Sequence, residues 1–163
     1  MWLNEAWGEG RHIKRTTKID SNTGIVLTNG VFDILHKGHI ELLKFSKIQG
    51  TKLIVAIDSD RRVKQLKGDS RPINNQDDRR RILETNRYVD EVVIFDSVEE
   101  LQGLYDTLCP DVIVKGSEWT ADEVRSRDNI PDNVQVKVYP LVGSYSTTSV
   151  MHKIRDMETC EKI

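Results

Sequence analysis

Nowhere in this chain does an apolar run approach the length needed to cross a bilayer. The first twenty residues are interrupted by Glu5, Glu9, Arg11, Lys14 and Arg15 rather than forming a secretory apolar stretch. No membrane partner is expected, and a cytoplasmic location is. Cysteine is equally scarce. Cys109 and Cys160 are the only two, too few for a disulfide framework and without the spacing of a metal knuckle or a redox pair, so both read as ordinary thiols. An excess of one charge is missing too: 24 basic side chains stand against 26 acidic ones, so the overall field favours neither a nucleic-acid backbone nor an anionic surface. Any anion site must be local. No repeat or low-complexity tract interrupts the chain. The hydrophobic fraction of 37% in 163 residues suits one compact domain, taken as residues 24–163. Residues 1–23, with Trp2 and Trp7 beside Gly8 and Gly10, show no clear period and read as an irregular arm.

Five short runs rich in β-branched residues read as strands: 25–28, 52–57, 92–95, 112–114 and 134–139. Most are apolar on both faces, as strands must be when helices cover both sides of a parallel sheet. The last alternates and is expected at an edge. Helical spacing appears at Ile40, Leu43 and Ser46-Lys47, at Ile82-Leu83 with Tyr88, and at Val98, Leu101, Leu104 and Leu108. Ser97 and Asn75 are positioned as helix caps, and Cys109-Pro110 closes the helix that Ser97 opens. Strand and helix therefore alternate, which predicts an α/β fold: a doubly wound, mainly parallel five-stranded, Rossmann-like sheet that binds ligands beyond its strands' carboxyl ends.

The segment with most chemistry is Thr28-Asn29-Gly30-Val31-Phe32-Asp33-Ile34-Leu35-His36-Lys37-Gly38-His39, where the first strand gives way to the first helix. Gly30 permits close backbone approach to a ligand, Gly38 permits tight packing, and the helix opening there directs free N–H groups at an anion. His36 and His39 are three residues apart and can face one phosphate. A zinc site would need further ligands, yet His12 and His152 lie in the arm and in a terminal helix. Direct metal ligation by this pair is not expected.

With Gly30-Val31-Phe32-Asp33 before it, His36-Lys37-Gly38-His39 resembles the H-x-G-H signature of the cytidylyltransferase-like nucleotidyltransferase superfamily. Leu66-Lys67-Gly68-Asp69-Ser70-Arg71-Pro72, Val114-Lys115-Gly116 and Ser146-Thr147-Thr148 look like the adenylyltransferase part of bacterial ADP-heptose synthesis enzymes. Arg80-Arg81-Ile82-Leu83-Glu84-Thr85 and Arg87-Tyr88-Val89-Asp90-Glu91-Val92 are similar to glycerol-3-phosphate cytidylyltransferases.

The resemblance implies transfer of a nucleoside monophosphate to a small phosphorylated substrate with release of pyrophosphate. ATP and a heptose 1-phosphate are favoured, with Mg²⁺ accompanying the nucleotide. The alternative is CTP with glycerol 3-phosphate, against which Leu141-Val142-Gly143-Ser144-Tyr145 lacks the arginine that family carries before its Ser-Thr-Thr. A non-catalytic nucleotide-binding module is a third reading.

By the same resemblance, His36 and His39 stabilise phosphate charge, and Asn29, Gly30, Val31, Phe32, Asp33 and Gly38 line the nucleotide. Ser146, Thr147 and Thr148 hold the β- and γ-phosphates, and Lys115, Gly116 and Glu118 meet the base, with Trp119 able to stack. Lys67 reads as a catalytic cation on a polar loop that, with Arg71, forms a lid; Lys64 reads as surface. Arg79 and Arg87 lie eight apart, on nearly one face of a continuous helix, and they and Arg71 are expected to contact phosphate. Arg80 and Arg81 read as a solvated helix face. A homodimer is the commonest assembly to expect, and a separate sugar kinase would supply a sugar phosphate.

Overall fold

The computed structural model describes residues 24–116, 119–140 and 145–160. Its elements in chain order are β1 (Ile25–Gly30), α1 (Lys37–Lys47), β2 (Lys52–Asp58), α2 (Asp60–Lys67), α3 (Gln76–Glu84), β3 (Glu91–Phe95), α4 (Val98–Leu108), β4 (Val112–Gly116), α5 (Ala121–Asp128), β5 (Gln135–Tyr139) and α6 (Thr147–Cys160). The five strands form one sheet in the order β3-β2-β1-β4-β5, with every neighbouring pair parallel. The anticipated doubly wound α/β fold is therefore present, and β5 is an edge strand as its alternation suggested.

Side chains alternate across the pleat, so consecutive strand residues enter opposite layers. Val26, Leu53, Val55 and Ile57 join Leu42 and Leu43 of α1 and Leu83 of α3 on one face. Leu27, Ile54 and Ala56 join Leu101 and Tyr105 of α4 and Val124 of α5 on the other. Burial on both faces explains why β2 is apolar without interruption from Leu53 to Ile57.

From β1 the chain steps outward to β2 and β3, then returns to the opposite side of β1 for β4. The gap between the carboxyl ends of β1 and β4 is thus the point where the winding reverses, and crevices of such sheets open there.

Helix caps follow the local chemistry. Ser59, Asn75, Ser97 and Thr120 each accept a backbone N–H in the first turn of their helices, and Thr120 with Glu123 completes a capping box. Two helices lie where the hydrophobic pattern shows none. Both α2 and α5 bury a single apolar residue, Val63 and Val124 respectively, and their polar remainder conceals the period. As a result Lys67 is the last residue of a helix rather than part of a loop. The helix α3 ends at Glu84 with Thr85 as its cap, so Arg79 and Arg87 do not share a continuous helix. The expected arm over residues 1–23 lies outside the described residues.

Candidate active site

A cavity of about 390 Å³ opens at the switch point between β1 and β4. Asn29 and Gly30 at the end of β1, Lys115 and Gly116 at the end of β4, and Ser146, Thr147 and Thr148 at the start of α6 all line it. Val31, Phe32 and His36, from the loop after β1, line its floor. Phe32 there adopts a left-handed backbone (φ 49°), a conformation that costs a non-glycine residue on the order of 1–3 kcal/mol and persists only where its surroundings enforce it. The enforcement is visible: its ring is buried, and it packs 5.0 Å from that of His39. Gly30 makes room, since a Cβ there would stand 3.2 Å from the Phe32 ring.

His36 is the N-cap of α1 and makes no side-chain cap hydrogen bond. Its ring stacks on that of His39 with centroids 3.8 Å apart. Gly38 permits this, because a Cβ at that position would come within 3.1 Å of the His36 ring. Burial lowers the His36 pKa, and burial followed by the His36 and Lys67 charges lowers that of His39 to about 4. Both rings are therefore predominantly neutral at pH 7, each with one N–H to donate. Their Nδ1 atoms have no hydrogen-bond partner among the described residues. Lys67 lines the same cavity from the end of α2.

At the third corner Ser146 acts as a reciprocal cap, its Oγ accepting the Ser149 N–H at 3.0 Å while Ser149 Oγ accepts the Ser146 N–H at 3.1 Å. Thr147 Oγ1 donates to the Ile34 carbonyl at 3.4 Å, which ties α6 to the histidine loop. Neutral imidazoles, an ammonium, hydroxyls and two helix openings converge here, and no carboxylate lines the cavity among the described residues. That donor set has the chemistry to hold an anion such as polyphosphate. It offers Mg²⁺ no cradle of protein oxygens, so the ion fits only as a companion of the nucleotide, held by phosphate oxygens and water.

Several expected contacts are corrected. Asp33 does not line the cavity: at 2% exposure its carboxylate binds Arg71 Nε at 2.9 Å and accepts the Ile73 and Asn74 N–H groups. Arg71, 7% exposed, is thereby an anchor of the loop rather than a phosphate ligand. Arg79 is fully buried, donating to the carbonyls of Val31 at 2.7 Å and Asn74 at 3.0 Å and to Asp60 Oδ1 at 2.8 Å. It supports the pocket floor from behind. Arg87 precedes β3, hence lies toward the amino edge of the parallel sheet, away from the cavity, and its guanidinium rests 5.6 Å from the Tyr88 ring.

Trp119 does not line the cavity; Arg127 does, together with Tyr139, Pro140 and Tyr145. None of these four was marked by a motif. Arg127 stands in a helix whose polar sequence hides it, and the packing of α5 beside β5 brings it in. Glu118 lies outside the described residues. Lys115 is largely buried, its Nζ bonded to Asn29 and 2.6 Å from Asp128 Oδ2. Burial lowers its pKa, opposed by the Asp128 charge. Burial raises that of Asp128, but bonds to Arg127 and Lys115 outweigh it and leave the carboxyl below its ordinary value.

A parallel sheet wound in this order carries paired histidines and a helix opening around one cavity at its switch point. A family model described as cytidylyltransferase-like matches residues 27–162, and the chain belongs to that family. It is 44% identical over 135 residues to the bifunctional protein HldE of Campylobacter fetus subsp. fetus (strain 82-40), a match covering 83% of this chain and 29% of the relative. With the bifunctional protein HldE of Campylobacter concisus (strain 13826) it shares 38% over 168 residues, covering 98% and 35%. The chain thus spans about a third of the length of these relatives.

Among solved structures, the lipopolysaccharide core biosynthesis protein from Thermoplasma volcanium GSS1 superposes with a TM-score of 0.57 at 27% identity, covering 75% of this chain and 98% of the other. Pantothenate synthetase from Thermus thermophilus reaches 0.54 at 14% identity, covering 78% and 61%, and shares the fold alone.

Proposed function

We propose that the chain transfers an adenylyl group from ATP to a sugar 1-phosphate, a heptose phosphate in first place. The observation that carries the transfer chemistry is the stacked, neutral His36–His39 pair facing Lys67 and the α6 opening in one cavity that no carboxylate lines among the described residues.

A sugar phosphate is already an anionic nucleophile, so the protein's work is alignment and charge stabilisation. An oxygen of that phosphate attacks the α-phosphorus of the nucleotide. The bond from the α-phosphorus to the bridging oxygen breaks, and pyrophosphate departs with the electron pair. His36 and His39 donate hydrogen bonds where charge accumulates, Lys67 neutralises it from the facing side, and the α6 opening with Ser146, Thr147 and Thr148 holds the outer phosphates. Mg²⁺ carried by the nucleotide supplies further charge neutralisation.

The adenylyl and heptose assignments rest on the likeness of the Lys67-to-Pro72, Val114-to-Gly116 and Ser146-to-Thr148 segments to ADP-heptose synthesis enzymes, and on the HldE relatives. The likeness to glycerol-3-phosphate cytidylyltransferases is carried by α3 and the approach to β3, where Arg87 lies far from the cavity. It therefore speaks for shared framework rather than shared substrate. A sugar kinase is expected to supply the sugar phosphate, and a homodimer remains the expected assembly.

Pyrophosphate release measured with each nucleoside triphosphate against a panel of sugar and polyol phosphates tests the reading. Turnover is expected with ATP and a heptose 1-phosphate. Preference for CTP with glycerol 3-phosphate would transfer the chain to the other branch, and tight nucleotide binding without release under any pairing would make it a binding module.

A further inference from the structure

The cavity has two chemically different ends. His36, His39, Lys67 and the α6 opening form one, suited to phosphates; Lys115, Gly116, Arg127, Tyr139 and Pro140 wall the other. Arg127 is carried on the last turn of α5. Its Nε donates to Asp128 Oδ1 at 2.9 Å, and its Cζ lies 5.3 Å from the centroid of the Trp119 ring. Asp128 is braced by the buried Lys115, which also reaches Asn29, so the ends of β1, β4 and α5 are tied together behind this guanidinium.

We propose that Arg127 is the nucleobase-binding residue of this pocket, the base stacking on the guanidinium face turned to the cavity while Trp119 backs the other. The inference rests on the nucleotidyl-transfer reading and names the residue that would hold the nucleoside. With the triphosphate at the histidine end, the base of the same molecule must lie toward the other end. Arg127 carries a carboxylate on its flank, which partly cancels its charge and would repel a phosphate, but leaves its flat face available to an uncharged ring. The brace from Asp128 and Trp119 also pre-orients the guanidinium, so that less rotamer freedom is lost on binding. Lys115, Asp128 and Trp119 are positioning residues for it.

The test is calorimetric titration of the wild type, Arg127→Ala and Arg127→Lys with ATP and, separately, with tripolyphosphate, which lacks a base, all in Mg²⁺. The Arg127 side chain is 49% exposed, so its removal leaves the core intact, and an unchanged thermal unfolding profile checks this. Arg127→Ala should weaken ATP binding by about tenfold, the low end for loss of one base-stacking partner, and change tripolyphosphate binding by less than about twofold. Arg127→Lys should behave like Arg127→Ala, because an ammonium has no flat face. Equal losses for both ligands would make Arg127 a phosphate ligand, and full ATP affinity in Arg127→Ala or in Arg127→Lys would remove the stacking role. A wild type that binds no nucleoside triphosphate would remove the nucleotidyl-transfer reading and this inference with it. A wild type that binds ATP beside an unaffected Arg127→Ala would remove this inference alone.

Discussion

The imidazole of His36 lies on that of His39, with centroids 3.8 Å apart and planes 23° from parallel. Two positive rings this close would repel, and burial adds to the penalty, so the free protein keeps both neutral near pH 7. Each can then donate to an oxyanion. Replacement of either by alanine should lower turnover by at least about a hundredfold, the scale for loss of one preorganised donor, with smaller change in substrate binding. Steady-state pyrophosphate release reads this, and near-normal turnover would take that histidine out of the chemistry.

The depressed pKa of His39 also links folding to pH. In the unfolded chain this group titrates at its ordinary 6.5; in the folded protein it titrates at about 4. Above 6.5 neither state binds the proton, and the native state keeps its full stability. As the pH falls from 6.5 toward 4 the unfolded chain takes up a proton that the folded one resists, so stability declines. Urea midpoints across that window should fall less steeply for His39→Gln than for the wild type. Parallel slopes would show that His39 is not the group responsible.

Arg79 is completely buried among one carboxylate and two carbonyls, and Arg87 is exposed at the far edge of the sheet. Their substitutions should therefore separate. Arg79→Ala should cost about 3–5 kcal/mol in denaturant unfolding, as for removal of one partner from a buried ion pair. Arg87→Lys should stay within about 0.5 kcal/mol and leave both Michaelis constants unchanged, as for an uninvolved surface site. A raised constant for the sugar phosphate in Arg87→Lys would return that residue to the substrate site.

The segment from Lys67 to Pro72 is held at both ends: Lys67 closes α2, where the Gly68 N–H donates to the Lys64 carbonyl at 2.8 Å, and Arg71 is bonded to Asp33. Gly68 has a positive φ of 90° with no neighbour within 4 Å of where a Cβ would stand, whereas Arg71, Ile73 and Asn74 are all bonded to the Asp33 carboxylate. Amide hydrogen exchange should be fast at Asp69 and Ser70 in the free protein and slow at Ile73 and Asn74. Saturating ATP with Mg²⁺ should protect Asp69 and Ser70. Unchanged exchange there would remove any closing role from this loop.

Local order carries the readings that succeed. The strands are legible because residues that pack on both faces of a parallel sheet are apolar in uninterrupted runs, as from Leu53 to Ile57. The histidine segment is legible because a turn, a helix opening and two histidines three apart are properties of neighbouring residues. The helices α2 and α5 are not, since one buried valine in each leaves no period to see.

By itself the sequence determined the alternating α/β order and the histidine segment that lines the cavity, because both depend on residues close along the chain. Which cations reach the cavity was decided only by the tertiary structure. Lys67, Arg71, Arg79, Arg87 and Arg127 are alike as side chains, yet Asp33 captures Arg71, Asp60 and the Val31 carbonyl capture Arg79, and the direction of β3 sends Arg87 to the opposite edge. Arg127 reaches the wall through the packing of α5 near β4 and β5. The partners come from distant positions, and a guanidinium held by them is fixed away from the cavity.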